Sequence, residues 1–102
     1  MGVDGRKCIF ITGAASGIGL ATAKRFAAEG WFVGLADIDA TGLKLAQGAL
    51  GAAACSVHKL DVRDRAAWKK EIAAFGKATG GRLDVLVNNA GIANYGFFED
   101  QT

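Results

Sequence analysis

The sequence has no proline, two cysteines and a single histidine among 102 residues, and each scarcity excludes a class of protein. The lack of proline and of any linker-like stretch predicts one small domain over residues 1–102. Cys8 and Cys55 lie in apolar stretches without a C-x-x-C pair, so together with His58 they make no recognisable zinc site. We expect both cysteines to be buried, reduced thiols.

Charge and long apolar runs are also scarce. The net charge is only +2, and the lysines and arginines are scattered instead of forming the basic face that nucleic-acid binding requires. The longest apolar runs, such as WFVGLA at 31–36, are too short to span a bilayer. The first residues, MGVDGRK, show neither a signal peptide nor a myristoylation motif. We therefore expect no nucleic-acid partner, no membrane partner and a cytoplasmic location.

The chain does contain an alternation of short β-rich runs with longer stretches of helical periodicity. Such alternation is typical of βαβ units and predicts an α/β fold with a doubly wound, Rossmann-like parallel sheet. We predict strands at 7–12, 31–36, 53–60 and 83–88, and helices at 18–29, from 39 or 41 to about 50, and from 64 onwards. Four strands and three helices make about half of such a sheet, so we expect the unit to be truncated.

The predicted helix ends follow from capping residues. Asp39 or Thr41 is expected to cap the second helix and Asp64 the third, while Gly30 and Gly51 follow the first and second helices. Helical spacing predicts which side chains face the sheet. These are Ile18, Thr22 and Phe26 in the first helix and Trp68, Ile72 and Phe75 in the third.

A glycine-rich segment joins the first strand to the first helix. Gly13 permits a tight turn, Gly17 lets backbone approach a ligand, and Gly19 lets the helix pack closely. A helix N-terminus behind such a turn presents N–H groups to an anion, and Ser16 adds a hydroxyl. The spacing G-x-x-x-G-x-G differs from the general dinucleotide fingerprint, and no P-loop Lys follows. We predict a pyrophosphate site formed by Gly13, Ser16, Gly17, Ile18 and Gly19.

Asp37 follows the second strand, 18 residues after Gly19. A carboxylate there can accept hydrogen bonds from both hydroxyls of an adenosine ribose and would repel a 2′-phosphate. Neither Ser16 nor Ile38 supplies the positive charge that a 2′-phosphate favours, so NAD is predicted rather than NADP. The alternative is an Asp that merely starts a turn. Turn chemistry is also the alternative for Asp61 and for the NNAG segment at 88–91.

These segments, taken together, resemble the classical short-chain dehydrogenases/reductases. The resemblance covers nearly the whole chain and rests on TGAASGIG (12–19), LADID (35–39), LDV (60–62) and LDVLVNNAGI (83–92). It implies that the glycine segment holds the cofactor pyrophosphate and that an acidic residue at Asp37 marks an NAD user. Asp61 and Val62 are implied to flank the adenine. Asn89, Ala90 and Gly91 are implied to line the nicotinamide-side ribose, with Thr12 tied to the NNAG segment.

The sequence departs from that family in its catalytic residues. The family uses a Ser, the Tyr and Lys of a Y-x-x-x-K motif, and an Asn on the helix after the fourth strand. Here the only tyrosine is Tyr95, the residue four positions later is Glu99, and the last lysine, Lys77, precedes both. We therefore expect no catalysis by these 102 residues alone, and no catalytic residue is assigned.

Three hypotheses follow. The chain is the N-terminal, NAD-binding part of a short-chain dehydrogenase that transfers hydride with an alcohol or carbonyl substrate and forms homo-oligomers when complete. Alternatively, it is a noncatalytic NAD-binding or interaction module, or a remnant that binds nothing tightly. We favour the first hypothesis, because the final residues FFEDQT (97–102) resemble the approach to the family's next helix.

Overall fold

The computed structural model describes residues 5–89, and every strand and helix predicted from the sequence is present there. Elements alternate along this part of the chain. They are β1 (Cys8–Thr12), α1 (Gly17–Ala28), β2 (Phe32–Asp37), α2 (Ala40–Leu50), β3 (Cys55–Lys59), α3 (Arg65–Thr79) and β4 (Val85–Asn88). Residues 90–102, which include the final stretch FFEDQT, lie outside the described residues.

The four strands form one parallel sheet in the order β3-β2-β1-β4. The order of the strands reverses at β1. Strands β2 and β3 follow on one side of β1, and β4 lies on its other side. Thr12, the last residue of β1, pairs with Ala36 of β2 and Asn88 of β4. This Rossmann-like arrangement was predicted, and it brings the loops after β1, β2 and β4 to one edge.

Strand β1 is buried on both faces, as expected for the middle of a doubly wound sheet. Its alternate side chains enter two separate clusters. One cluster lies under α1 and α2 and contains Ile9, Ile11, Ala14, Ala23, Val33, Leu35, Leu43, Ala46 and Cys55. The other lies under α3 and contains Cys8, Phe10, Phe32, Ala36, Leu60 and Phe75. Burial of one large apolar side chain stabilises a fold by about 1.5–3 kcal/mol. Because β1 places such side chains in both clusters, it stabilises the packing on both faces of the sheet.

The predicted apolar face of α3 is confirmed. Phe75 is fully buried, and Trp68 and Ile72 pack against the same cluster. The Phe75 and Phe10 rings meet edge to face with their centroids 5.2 Å apart. A Cβ on Gly34 would lie 2.6 Å from Phe10 and 2.7 Å from Phe75, so only glycine fits beneath these rings.

The predicted apolar face of α1 is wrong at Ile18, whose side chain is 75% exposed. The helix instead buries Gly19 and Ala23 against the sheet. Phe26 is half-buried and packs edge to face on Trp31. The small residues allow α1 to approach the strands closely, and this turns the larger Ile18 away from the core.

The helix caps were largely foreseen. The Asp39 carboxylate accepts a hydrogen bond from Gly42 N–H (3.0 Å), which selects Asp39 over Thr41 as the cap of α2. The Asp64 carboxylate accepts from Ala67 N–H (3.1 Å) at the start of α3. Gly51, with φ of 95°, follows α2 as expected.

Candidate functional site

The candidate site lies where the strands end. Because the sheet is parallel, the glycine segment after β1 is flanked by Asp37 at the end of β2 and by Asn88 at the end of β4. Asp61 and Val62 follow β3, one strand further out. Ligands of open α/β sheets bind at this carboxyl edge, at the strand where the order of the sheet reverses. The sheet therefore brings together most of the residues that the sequence predicted.

The glycine segment has the backbone that its residues predicted. Gly13 (φ 67°) and Gly17 (φ 60°) both occupy the left-handed region, where other residues are strained. Gly19 is buried, and a Cβ there would overlap the Gly13 carbonyl oxygen and lie 2.7 Å from the Gly13 carbonyl carbon. The first turn of α1 is therefore pressed against the loop that precedes it.

The N-terminus of α1 differs from the other helix starts in lacking an acidic cap. Ser16 is the N-cap residue, but within residues 5–89 its side chain makes no capping hydrogen bond. The first turn has no acidic residue, and Ser16, Gly17 and Ile18 are all exposed. Among residues 5–89, a Cβ built on Gly17 meets no atom within 4 Å apart from the backbone of its own helix turn, so this part of the structure leaves the space above the turn open. Such a start offers backbone N–H groups and the positive end of the helix dipole to an anion.

Asp37 bridges two backbone segments. Its Oδ2 accepts from Ala15 N–H of the glycine segment (3.0 Å), and its Oδ1 accepts from Asp39 N–H (3.0 Å). An ionised carboxylate has about four acceptor positions, so these two bonds leave capacity for ribose hydroxyls. The bond to Ala15 was not foreseen, because nothing local in the sequence connects the two residues.

Asp61 is engaged by a residue that the sequence analysis overlooked. The Arg63 side chain donates from Nε to Oδ1 (3.1 Å) and from a terminal nitrogen to Oδ2 (3.0 Å), and Arg63 N–H also donates to Oδ1. These hydrogen bonds from Arg63 lower the pKa of Asp61. The Val62 carbonyl accepts from the Trp68 indole N–H at 2.8 Å. The adenine role of Asp61 and Val62 stays a prediction.

The start of the NNAG segment is tied to β1, as expected. The Thr12 hydroxyl donates to Asn88 Oδ1 at 3.0 Å, across the pair of strands. Asn89 lies near the helix start, since its Nδ2 is 3.0 Å from the position of a Cβ on Gly19. Ala90 and Gly91, together with Tyr95, lie outside the described residues. The ribose role of Asn89, Ala90 and Gly91 stays a prediction.

A second cluster of polar groups lies away from this edge, beneath α3. The side chain of His58 is 4% exposed and packs against Phe10 and Phe75. Its Nδ1 is 3.0 Å from Glu71 Oε1 and its Nε2 is 2.7 Å from Ser56 Oγ. With Glu71 as acceptor, neutral His58 donates from Nδ1 and accepts the Ser56 hydroxyl at Nε2. Burial lowers the pKa of His58, although Glu71 opposes the shift. Both ring nitrogens of His58 are thus engaged within the core beneath α3.

The cysteines behave as predicted in being buried and unpaired, and burial raises the pKa of both thiols. Within residues 5–89, no group of three or more His, Cys, Asp or Glu side chains is placed to hold a metal ion. In the same range, every helix is too short or too polar to cross a membrane.

An open groove lies at the outer edge of the sheet, between α2 and β3. Its volume is about 430 Å³, and it is lined by Ala40, Thr41, Leu43, Lys44, Val57 and Lys59. None of these residues belongs to the glycine segment, but Lys59 pairs with Asp37 in the sheet register and lies two positions before Asp61. Lysines at an exposed strand edge also oppose pairing with another strand.

Residues 7–102 match the family model for short chain dehydrogenases. The chain is 44% identical over 99 residues to 2,5-dichloro-2,5-cyclohexadiene-1,4-diol dehydrogenase LinX from Sphingobium indicum. That alignment covers 94% of this chain and 39% of the relative. The chain therefore belongs to the short-chain dehydrogenase family, as the resemblance of its motifs indicated. It spans less than half the length of this relative.

Solved structures of the family share the fold. An actinorhodin polyketide ketoreductase with NADPH is 34% identical at a TM-score of 0.81, covering 89% of this chain and 35% of that chain. A 3-ketoacyl-(acyl-carrier-protein) reductase from Brucella melitensis complexed with NADH is 34% identical at a TM-score of 0.74, covering 78% and 32%. Family members with this fold thus hold either nicotinamide cofactor.

Proposed function

We propose that this chain binds NAD and provides the cofactor-binding part of a short-chain dehydrogenase that transfers hydride between the cofactor and an alcohol or carbonyl substrate. The observation that carries the proposal is the open start of α1. It combines a glycine loop, the exposed residues Ser16, Gly17 and Ile18, and a first turn without an acidic side chain, and Asp37 accepts from the neighbouring Ala15 N–H.

The loop residues fit a pyrophosphate. Gly13 and Gly17 hold the backbone in the left-handed region, and Gly19 lets the helix start lie against the loop without a Cβ between them. The helix dipole and the first-turn N–H groups, which have no acceptor within the helix itself, favour two negative phosphates. The Ser16 hydroxyl, exposed beside this turn, would donate a further hydrogen bond.

Asp37 supports NAD over NADP. Its carboxylate lies at the end of β2 and retains acceptor capacity for the two ribose hydroxyls. A 2′-phosphate at the same position would meet a negative charge. The positions that would supply a compensating cation hold Ser16 and Ile38. The bound nicotinamide would supply the hydride acceptor or donor, and the chain's own residues would orient it.

We do not assign a proton-transferring residue within these 102 residues. The sequence has no Y-x-x-x-K motif, and Lys77 lies on α3, which packs against the face of the sheet opposite α1. We propose that the chain binds cofactor without turning over an alcohol. A homo-oligomer and a cytoplasmic location of the complete enzyme also stay proposals.

Calorimetric titration of the purified chain with NADH and NADPH tests the cofactor proposal. We expect NADH to bind at least about tenfold more tightly than NADPH, which corresponds to about 1.4 kcal/mol. We expect Asp37→Ala to reduce that preference. Equal affinities for the two cofactors in the unmodified chain would contradict the assignment of Asp37. Alcohol oxidation by the purified chain would contradict the absence of a catalytic residue.

A further inference from the structure

The bond between Asp37 and the glycine segment suggests a second task for this residue. We propose that Asp37 is a positioning residue for the pyrophosphate loop, in addition to the ribose role on which the proposed function relies. It holds Ala15 N–H at 3.0 Å, and Ala15 lies between Gly13 and Gly17, the two glycines in the left-handed region. Release of Ala15 would leave this part of the loop to the neighbouring Ala14 N–H, which donates to the Ala36 carbonyl at 3.0 Å, and would therefore loosen the segment between Ala14 and Gly17.

The loop and the β2–α2 connection form one hydrogen-bonded corner. Asp37 Oδ1 accepts from Asp39 N–H, and the Asp39 side chain in turn accepts from Gly42 N–H at the start of α2. Gly42 has no room for a side chain, since a Cβ there would lie 2.8 Å from the Ala15 Cβ. Ala15 is thus held by a hydrogen bond on one side and by the helix start on another.

This corner couples two parts of a dinucleotide that the family motifs treat separately. The carboxylate that would receive the ribose also fixes the backbone that would receive the pyrophosphate. A substitution that removes the carboxylate to admit a 2′-phosphate would therefore also loosen the phosphate loop. An amide at position 37 removes the negative charge and keeps one oxygen, which can accept from Ala15 N–H but then leaves Asp39 N–H without its acceptor.

The test uses inorganic pyrophosphate, which has no ribose, and compares Asp37→Ala with Asp37→Asn. Both variants lose the same charge, so any gain in anion affinity from lost repulsion is common to both. We expect Asp37→Ala to bind pyrophosphate about five- to tenfold more weakly than Asp37→Asn, the size of one net hydrogen bond. Asp64→Ala is the control, because it removes a helix-capping carboxylate that follows β3 and caps α3, outside the corner around Ala15. It should not weaken pyrophosphate binding.

Hydrogen exchange of the Ala15 amide gives an independent measurement. Exchange should accelerate in Asp37→Ala and stay slow in Asp37→Asn, while amides of β1 remain protected in both. Equal pyrophosphate affinities of the two variants, with unchanged Ala15 exchange, would overturn the proposal. If the unmodified chain binds neither pyrophosphate nor NAD, the proposed function fails. The exchange rates still decide whether Asp37 holds the loop.

Discussion

Helices α1 and α3 each follow a strand of the parallel sheet, but their first turns are capped differently. At α3 the Asp64 carboxylate caps the helix by accepting Ala67 N–H, and Trp68 closes the loop by donating to the Val62 carbonyl. At α1 the residue in the capping position is Ser16, whose side chain makes no capping bond within the described residues. A helix start completed by its own side chains needs no ligand, whereas an open one can be completed by an anion.

The difference extends to the residues that control helix approach. The first turn of α1 contains Gly19, which allows the helix to press on the Gly13 carbonyl. The first turn of α3 contains Ala67 and Trp68 and packs through side chains instead. The start of α1 is thus arranged to receive a ligand, whereas the start of α3 stabilises the fold through its own side chains.

The largest expected effect comes from placing a side chain between α1 and the glycine segment. Gly19→Ala would force the new methyl into the Gly13 carbonyl, so we expect loss of NAD binding and a decrease of about 1–3 kcal/mol in unfolding free energy. Gly48→Ala is the matched control, since a Cβ on this α2 residue meets nothing within 4 Å. It should raise stability by up to about 1 kcal/mol. Chemical denaturation of both variants measures the contrast, and equal signs would contradict the packing argument.

An acidic cap on α1, like that of α3, should raise the unfolding free energy and lower the affinity for NAD. Ser16→Asp supplies a charged cap, which we expect to stabilise the free chain by about 0.3–1 kcal/mol. The same charge should weaken NAD binding about tenfold or more, because a unit charge a few ångströms away near a protein surface opposes an anion by about 1–4 kcal/mol. Ser16→Asn offers a cap without charge and should weaken binding less. NAD binding by Ser16→Asp as tight as in the unmodified chain would place the pyrophosphate elsewhere.

Making α3 resemble α1 should reduce stability alone. Asp64→Ala removes the acceptor of Ala67 N–H and should lower unfolding free energy by about 1 kcal/mol. Pyrophosphate titrations should show unchanged affinity, since Asp64 follows β3 and the glycine segment follows β1, with β2 between them. Asp64→Ser retains a capping oxygen and should be within a few tenths of a kcal/mol of the unmodified chain. Equal losses for Ala and Ser would mean that the cap is not the cause.

The smallest effect concerns the buried histidine beneath α3. Because burial lowers the pKa of His58, the unfolded chain binds more protons in mild acid. The stability contributed by neutral His58 is therefore complete above its ordinary pKa of 6.5 and is lost as pH falls below that value. Denaturation at pH 7.5 and 5.5 should show a small loss of stability in acid, well below the limit of about 1.4 kcal/mol per pH unit for one group, because Glu71 opposes the effect of burial.

Two variants identify the source of that pH dependence. His58→Gln should flatten the slope, because the titrating group is gone. Glu71→Gln should steepen it, because the Glu71 carboxylate favours protonated His58 and opposes the effect of burial. A slope that is unchanged in both variants would assign the pH dependence to other groups.

Much of this molecule could be predicted from local sequence. The strand and helix types followed from periodicity, Asp64 was identified as a cap, and the glycines at 13, 17 and 19 have the backbone or close contact expected of them. These features depend on residues a few positions apart. Ile18 was the exception, since its helical spacing matched an apolar face that the small Gly19 and Ala23 occupy instead.

The sequence by itself determined the βα alternation, the glycine loop and the family, because these depend on short-range backbone preferences and motif spacing. Only the tertiary structure decided that Asp37 holds Ala15, 22 positions earlier, and which atom of the NNAG segment accepts from Thr12, namely Oδ1 of Asn88, 76 positions later. Such hydrogen bonds form only after the parallel sheet has brought separate strand ends together. Their partners cannot be read from spacing along the chain, because any polar residue at a strand end is a candidate until the strand order is known.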